Sequence, residues 1–157
     1  ALEMLGADFR FATELQYDGA LQPDGTLNGN LYIRGGGDPT LGSDRVNGSL
    51  DLDELMAQWA GKIKAAGIRR VTGDLVADDA VFHENVLPNG WTWGDIGNYY
   101  GAAAFGLNIN DNLYTVYLQT GKKTGDATRF VRTEPLMKDM TFVNEVTTGA
   151  AGTGDQS

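Results

Sequence analysis

From Phe9 the chain alternates with a period of two. Phe9, Phe11, Thr13, Leu15 and Tyr17 fall on one side, and Arg10, Ala12, Glu14 and Gln16 on the other, which predicts a half-buried strand. Pro23-Asp24-Gly25 interrupts it as a turn, and residues 27–34 predict a second strand ending at the run Gly35-Gly36-Gly37-Asp38-Pro39, so a hairpin is the simplest pairing. The period then changes to that of a helix. Leu52, Leu55, Met56, Trp59, Ile63 and Ala66 form one apolar stripe, and Trp59, in mid-stripe, is expected in the core. Asp51 and Glu54 have the spacing of a capping box, Asp53 adds negative charge near the amino end, Lys62 and Lys64 lie toward the carboxyl end, and Gly67 supplies the stop. Residues 68–77, rich in β-branched and aliphatic side chains, predict a strand joined to the second through this helix, hence a right-handed β-α-β unit and a partly parallel sheet.

The rest is less regular. Pro88-Asn89-Gly90 marks a break, residues 91–100 are aromatic and irregular, and two or three further strands are expected among 113–118, 128–132 and 141–146. Beyond Thr147 the chain is almost entirely Gly, Ala, Thr and Ser, a composition that cannot pack by itself. Ala1-Leu2-Glu3-Met4-Leu5 before Gly6 reads as the last turns of a helix, too short to nucleate alone, so the chain is expected to start inside an element. No repeat of 20 to 50 residues is visible, which removes solenoids and propellers. The expected class is α+β: a mixed sheet with one well-formed amphipathic helix and β-hairpins.

Composition narrows the function. The 22 glycines suit many turns between strands. A net charge of -9, with its twelve Lys and Arg scattered or in the pairs Arg69-Arg70 and Lys122-Lys123, makes nucleic acid an unsuitable partner. No apolar run of about 18 residues is present, and no basic start leads into an apolar stretch, so neither a spanning helix nor a signal peptide is expected within these residues. The absence of cysteine removes disulfides, thiolate nucleophiles and zinc-thiolate sites.

Candidate chemistry is sparse. Ser43, Ser49 and Ser157 are the only serines, and none stands in Ser-x-x-Lys, Gly-x-Ser-x-Gly or Ser-x-Asn, the spacings that set a base or oxyanion donor beside a hydroxyl. No catalytic residue is therefore assigned. Lys123-Thr124-Gly125 matches a triplet of β-lactam-binding enzymes but lies between two strand-like runs, where a polar turn is the expectation. His83, beside Glu84 and near Asp78 and Asp79, is one imidazole among surface carboxylates, short of the three ligands a soft metal needs. Asn108, Asn110, Asp111 and Asn112 have calcium-loop residues, but Leu113 stands where the loop needs glycine and no glutamate closes the spacing. Asp38-Pro39 after the glycine run opposes phosphate binding, which leaves a structural turn. Neither metal nor cofactor is expected.

Trp91, Trp93, Asp95, Tyr99 and Tyr100 are the most informative cluster. Aromatic rings with one carboxylate make an apolar wall with a polar hook, suited to an aliphatic amine or a sugar; the alternative is a loop pinned to the core by its own aromatics.

Residues 1–13, residues 27–41 with Leu31-Tyr32-Ile33-Arg34-Gly35-Gly36-Gly37-Asp38-Pro39, Gly73-Asp74-Leu75-Val76-Ala77-Asp78-Asp79 with Phe82, Gly90-Trp91, Asp95, Asn98-Tyr99-Tyr100-Gly101-Ala102 and Leu107-Asn108-Ile109-Asn110 occur in an order that resembles the low-molecular-mass class C penicillin-binding proteins. The resemblance covers the chain to about residue 147. It implies a parent that is a serine D-Ala-D-Ala carboxypeptidase, often also an endopeptidase, acting on peptidoglycan stem peptides in the periplasm or outside the cell. On that footing residues 1–8 end a catalytic-domain helix, 9–147 form an inserted α+β region with room for two nested subdomains, and 148–157 are a flexible tail. The catalytic motifs would then lie outside these residues, with Lys123-Thr124-Gly125 too early in the order to serve as one. The implied partners are the stem peptide and the catalytic domain of the same chain, with β-lactams bound only by the full-length protein. The resemblance also implies that the 91–100 segment borders the active-site cleft, Asp95 attracting a substrate ammonium while Trp91, Trp93 and Tyr100 pack on its methylenes. Two other functions remain open: a free-standing glycan or peptide binding module using the aromatic segment, and a nucleotide-binding domain resting on the glycine run.

Overall fold

The computed structural model describes residues 2–82 and 86–153. They form two compact units, the first ending at Leu113 and the second beginning at Tyr114.

In the first unit, a short helix α1 (Leu2–Leu5) precedes strands β1 (Glu14–Tyr17), β2 (Ala20–Leu21), β3 (Thr26–Asn28) and β4 (Leu31–Arg34), the helix α2 (Leu52–Ala65), and strands β5 (Arg70–Val71) and β6 (Leu75–Asp78). β4 lies between β1, antiparallel to it, and β6, parallel to it; β3 lies in the same way between β2 and β5. The second and third expected strands are thus each broken into two, β2 adds a piece beyond the end of the first, and the three breaks line up. They fall where Gly19, Gly29 and Gly73 bring backbones together: a Cβ on Gly29 would run into the Asp18 carbonyl, and one on Gly73 into the Gly29 carbonyl. The mixed, partly parallel sheet connected through α2 matches the pattern read from the chain, but as two three-stranded pieces.

Polar side chains close the seam between the pieces. The Asp18 carboxylate accepts from the Asn30 backbone N–H at 2.6 Å, from Asn30 Nδ2 at 3.1 Å and from the Tyr32 hydroxyl at 2.7 Å, while Asn30 Oδ1 accepts from the Asp74 N–H at 2.9 Å. The backbone bond from Asn30, then those from Tyr32 and the Asn30 side chain, hold the Asp18 carboxyl below its ordinary pKa. A group with a lowered folded-state pKa adds stability above its unfolded value, near 3.9, and loses it as the pH falls through the folded value. Asp18→Asn is therefore expected to lower the melting temperature near neutral pH, and the gap from wild type should narrow steadily below about pH 4. Melts of both proteins from pH 7 to pH 2.5 measure it; a constant gap would mean that the carboxylate charge contributes nothing to the seam.

α2 forms where the apolar period required it. Asp51 accepts from the Glu54 N–H at 2.8 Å and Glu54 returns a bond to the Asp51 N–H at 3.2 Å, completing the capping box. At the other end the Ile68 N–H reaches the Ile63 carbonyl and the Gly67 N–H that of Lys64, the paired bonds of a Schellman stop. Leu55, Trp59 and Ile68 are buried with Leu27 and Leu31 from the sheet, and this set is the core. Met56 was expected in that stripe but is exposed, because the buried line runs through Leu55 and Trp59 only. A groove of about 570 Å³ remains between α2 and β1, with Leu15, Leu31, Leu55, Trp59 and Ile63 along it.

The amino-terminal strand is shorter than its alternation suggested. Pairing covers Glu14 to Tyr17 only, and Phe9 and Phe11 are exposed, edge to face at 5.2 Å. The partner strand ends at Arg34, and the Ala12 backbone passes so close to Gly36 that a Cβ there would meet the Ala12 carbonyl. The glycine run is therefore a backbone-packing device, with the Gly37 N–H on the Gly106 carbonyl at 2.7 Å.

The second unit is built on β7 (Thr115–Gln119) paired antiparallel with β8 (Arg129–Glu134), with a bulge between Tyr117 and Leu118. Phe142 stacks on Phe130 at 4.9 Å and meets Tyr114 edge-on at 6.1 Å. The connection holding Lys123-Thr124-Gly125 is a turn, closed by Asp126 accepting from the Lys122 and Lys123 N–H groups at 2.9 Å each. The strand expected at 141–146 does not form; one isolated bridge, Ala127 to Thr147, stands nearby. Asn144 is the reason. Its Oδ1 accepts from the Val146 N–H and its Nδ2 donates to the Thr128 carbonyl, so side-chain bonds replace a ladder and turn the chain locally.

Candidate functional site

The aromatic segment is a chain of tight turns. Trp93–Asp95 and Tyr99–Gly101 are single 3-10 turns, linked by the Asn98 N–H to the Asp95 carbonyl at 3.0 Å and by Asn98 Nδ2 to the Gly94 carbonyl at 3.2 Å. Buried Gly101 lies against the Asp95 carbonyl, where any Cβ would collide, so the segment folds back on itself.

This fold brings two expected site residues together and leaves two apart. Asp95 accepts from the Thr92 hydroxyl at 2.8 Å on one oxygen and from the Tyr100 hydroxyl at 3.4 Å on the other. Partial desolvation, then the Asp95 charge, raise the Tyr100 pKa above its ordinary value, so this hydroxyl stays a donor throughout the neutral range. Trp91 and Trp93 flank Thr92 in the chain, and among the described residues no hydrogen bond or ring pair joins them to Asp95 or Tyr100. Trp93 is 90% exposed, and Trp91, Tyr99 and Tyr100 are also exposed. Within this unit the rings are exposed rather than packed into the core, and the Asp95 carboxylate in the same segment has its two oxygens oriented by hydroxyl donors. Such an arrangement can receive a cation on the carboxylate and an apolar stem on the rings.

Thr92 and Arg45 were not singled out from the sequence, and the Asn-rich stretch was considered there only as a calcium loop. Thr92 orients Asp95. The Arg45 guanidinium lies over the Tyr99 ring, 4.9 Å from its centroid, and its Nε is 3.5 Å from Asp111 Oδ2. Asn110, Asp111 and Asn112 all have φ near +54 to +55°, a left-handed run for which asparagine and aspartate are the best-suited non-glycine residues. Asn112 Nδ2 donates to the Ala103 carbonyl at 2.7 Å, and Asn108 binds both the Phe105 backbone and Asn112. The Asn-rich stretch is thus a backbone brace beside the aromatic segment, and its density in polar turn formers was the signal available in the sequence.

Other candidates fall into structural places. Ser43 is 1% exposed, and its Oγ accepts from the Arg45 N–H at 3.3 Å. Among the described residues no group of three or more His, Asp or Glu is arranged to hold a metal; His83, Glu84 and Ser157 lie outside those residues. No described helix is long and apolar enough to cross a membrane.

Comparison with known proteins agrees with the resemblance. The chain is 33% identical to the D-alanyl-D-alanine carboxypeptidase DacB of Haemophilus influenzae over 78% of its length and 23% of that protein. It is also 33% identical to the D-alanyl-D-alanine carboxypeptidase of an Actinomadura species, over 99% of this chain and 28% of that protein. It therefore spans about a quarter of the length of these relatives. The crystal structure of penicillin binding protein 4 (dacB) from Haemophilus influenzae superposes with a TM-score of 0.67 at 29% identity, covering 82% of this chain and 26% of that one. The same protein in complex with a β-lactam superposes with a TM-score of 0.53 at 26% identity, over 82% of this chain and 23% of that one. Because the family described as D-Ala-D-Ala carboxypeptidase 3 (S13) matches residues 1–157 in full, the chain belongs to that family.

Proposed function

We propose that this chain is the inserted, non-catalytic region of a serine-type D-Ala-D-Ala carboxypeptidase or endopeptidase that acts on peptidoglycan stem peptides outside the cytoplasmic membrane. Its part is to contact the stem-peptide side chain through Trp91, Trp93, Asp95 and Tyr100. One observation carries this reading: in a chain of this family, the Asp95 carboxylate is oriented by Thr92 and Tyr100 in a segment whose aromatic rings are exposed.

The chemistry divides accordingly. A serine activated by a lysine, both supplied elsewhere in the protein, attacks the penultimate D-Ala carbonyl; D-Ala leaves, and water releases the shortened peptide. Asp95 takes a side-chain ammonium while the rings cover its methylenes, which fixes the peptide relative to that serine and excludes water from the ion pair. Ser43 is buried with its Oγ accepting from a backbone N–H, which suits a structural place for that serine.

Labelling with a fluorescent penicillin tests this division. The full-length protein should acquire the label covalently, and the separate 157-residue chain should stay unlabelled. A labelled chain, or a full-length protein that never acquires label, would remove the basis for the proposal.

A further inference from the structure

We propose that Arg45 is a positioning residue that holds the aromatic turn in register with the Asp95 carboxylate. This rests on the reading of Asp95 as the receiver of a substrate ammonium. The aromatic segment's own bonds are local, spanning three to five residues within 88–101, so they fix its shape without fixing its direction. Direction has to come from contacts to other parts of the unit. Arg45, in the connection between β4 and α2, supplies one: its guanidinium is held between the Tyr99 ring at 4.9 Å and the Asp111 carboxylate at 3.5 Å.

Both ends of this contact are anchored. On the Arg45 side, its own N–H bonds the Oγ of buried Ser43, whose N–H bonds the Thr40 carbonyl at 3.2 Å. On the Asp111 side, the left-handed run is tied back by the Asn110 N–H to the Leu41 carbonyl at 2.8 Å and by Asn112 to Ala103. Tyr99 meets Tyr100 edge to face at 5.2 Å, and Tyr100 donates to Asp95. The sequence of contacts is therefore Asp111, Arg45, Tyr99, Tyr100, Asp95. A guanidinium suits the middle place because its plane can cover a ring while its edge meets a carboxylate. The Asp111 side chain is only 25% exposed, so its pairing with Arg45 is partly shielded from solvent.

The test uses the full-length carboxypeptidase containing this chain and two substrates, Nα-acetyl-L-lysyl-D-alanyl-D-alanine with a free side-chain amine and the same peptide acetylated on that amine. The readout is the ratio of kcat/KM for the two. Arg45→Met should lower the preference for the free amine about threefold to fivefold, and Arg45→Lys, which keeps a cation over the ring, should recover at least half of it. Labelling with 3-fluorotyrosine, with the Tyr99 signal assigned through Tyr99→Phe, should show that signal displaced in Arg45→Met and largely restored in Arg45→Lys. Asp111→Asn keeps a residue at home in left-handed backbone and should lower the ratio about twofold, which carries the test if Arg45→Met fails to fold. An unchanged ratio in Arg45→Met, or equal impairment by Met and Lys, overturns the assignment when Asp95→Ala does lower the ratio. If Asp95→Ala leaves the ratio unchanged, the receiver reading fails instead, and the Tyr99 signal alone decides whether Arg45 holds the ring: displacement upholds the contact and no displacement ends it.

Discussion

Trp59→Ala is expected to lower the unfolding free energy of the chain by about 3–5 kcal/mol, a large share of the 5–15 kcal/mol that holds a typical domain. Trp59 is 7% exposed and packs in a five-residue apolar core with Leu27, Leu31, Leu55 and Ile68. Removing an indole loses its transfer free energy and also widens the groove of about 570 Å³ already present beside α2. The surrounding core is too small to collapse into that space. Met56, on the same helix but 39% exposed, provides the comparison: Met56→Ala should cost about 1 kcal/mol or less. Urea unfolding followed by far-ultraviolet circular dichroism measures both. Equal midpoints for the two variants would show that the helix is not held through Trp59.

The contrast between these two side chains shows what the sequence could report. The amphipathic stripe, the capping box and the glycine stop of α2 are local features, each decided by residues within a turn of one another, and all three are present. Which edge of the stripe is buried depends on where the sheet lies, and so Met56 was placed inside when it is exposed. The strands follow the same division. Their existence and the parallel pairing through α2 followed from period and order, whereas the aligned breaks at Gly19, Gly29 and Gly73 depend on three backbones meeting at one level. At residues 141–146 the β-branched composition was misleading, because Asn144 supplies side-chain bonds that compete with a ladder.

The site divides in a similar way. Aromatic residues around one carboxylate within ten positions were visible as a cluster, and Asp95 with Tyr100 is the pair the structure brings into contact. Thr92 was hidden because a hydroxyl three residues before an aspartate is common in turns of every kind. Asp111 was visible only among the calcium-loop residues, and its contact with Arg45 was hidden because it joins positions distant in the chain, and nothing in a scattered set of twelve Lys and Arg distinguishes one of them.

A second large effect is expected at Asp95. Under the proposed function, the full-length protein should favour a stem-peptide analogue with a free side-chain amine over its amine-acetylated counterpart by about tenfold or more, the scale of one charge-assisted hydrogen bond. The preference has a single anionic source in the turn. The Thr92 and Tyr100 hydroxyls orient the carboxylate oxygens, and in the proposed function exposed Trp91 and Trp93 would cover either peptide alike, charged or acetylated. Asp95→Ala should therefore erase the preference while acting weakly on the acetylated peptide. Asp95→Asn should do nearly the same, because it keeps the shape of the side chain and removes its charge.

The decisive measurement is kcat/KM for both peptides with wild type and Asp95→Ala, four values forming one cycle. A coupling of about tenfold between the substrate amine and the Asp95 carboxylate is the predicted result. A preference for the free amine that survives intact in Asp95→Ala would contradict the assignment of this turn to the stem-peptide side chain.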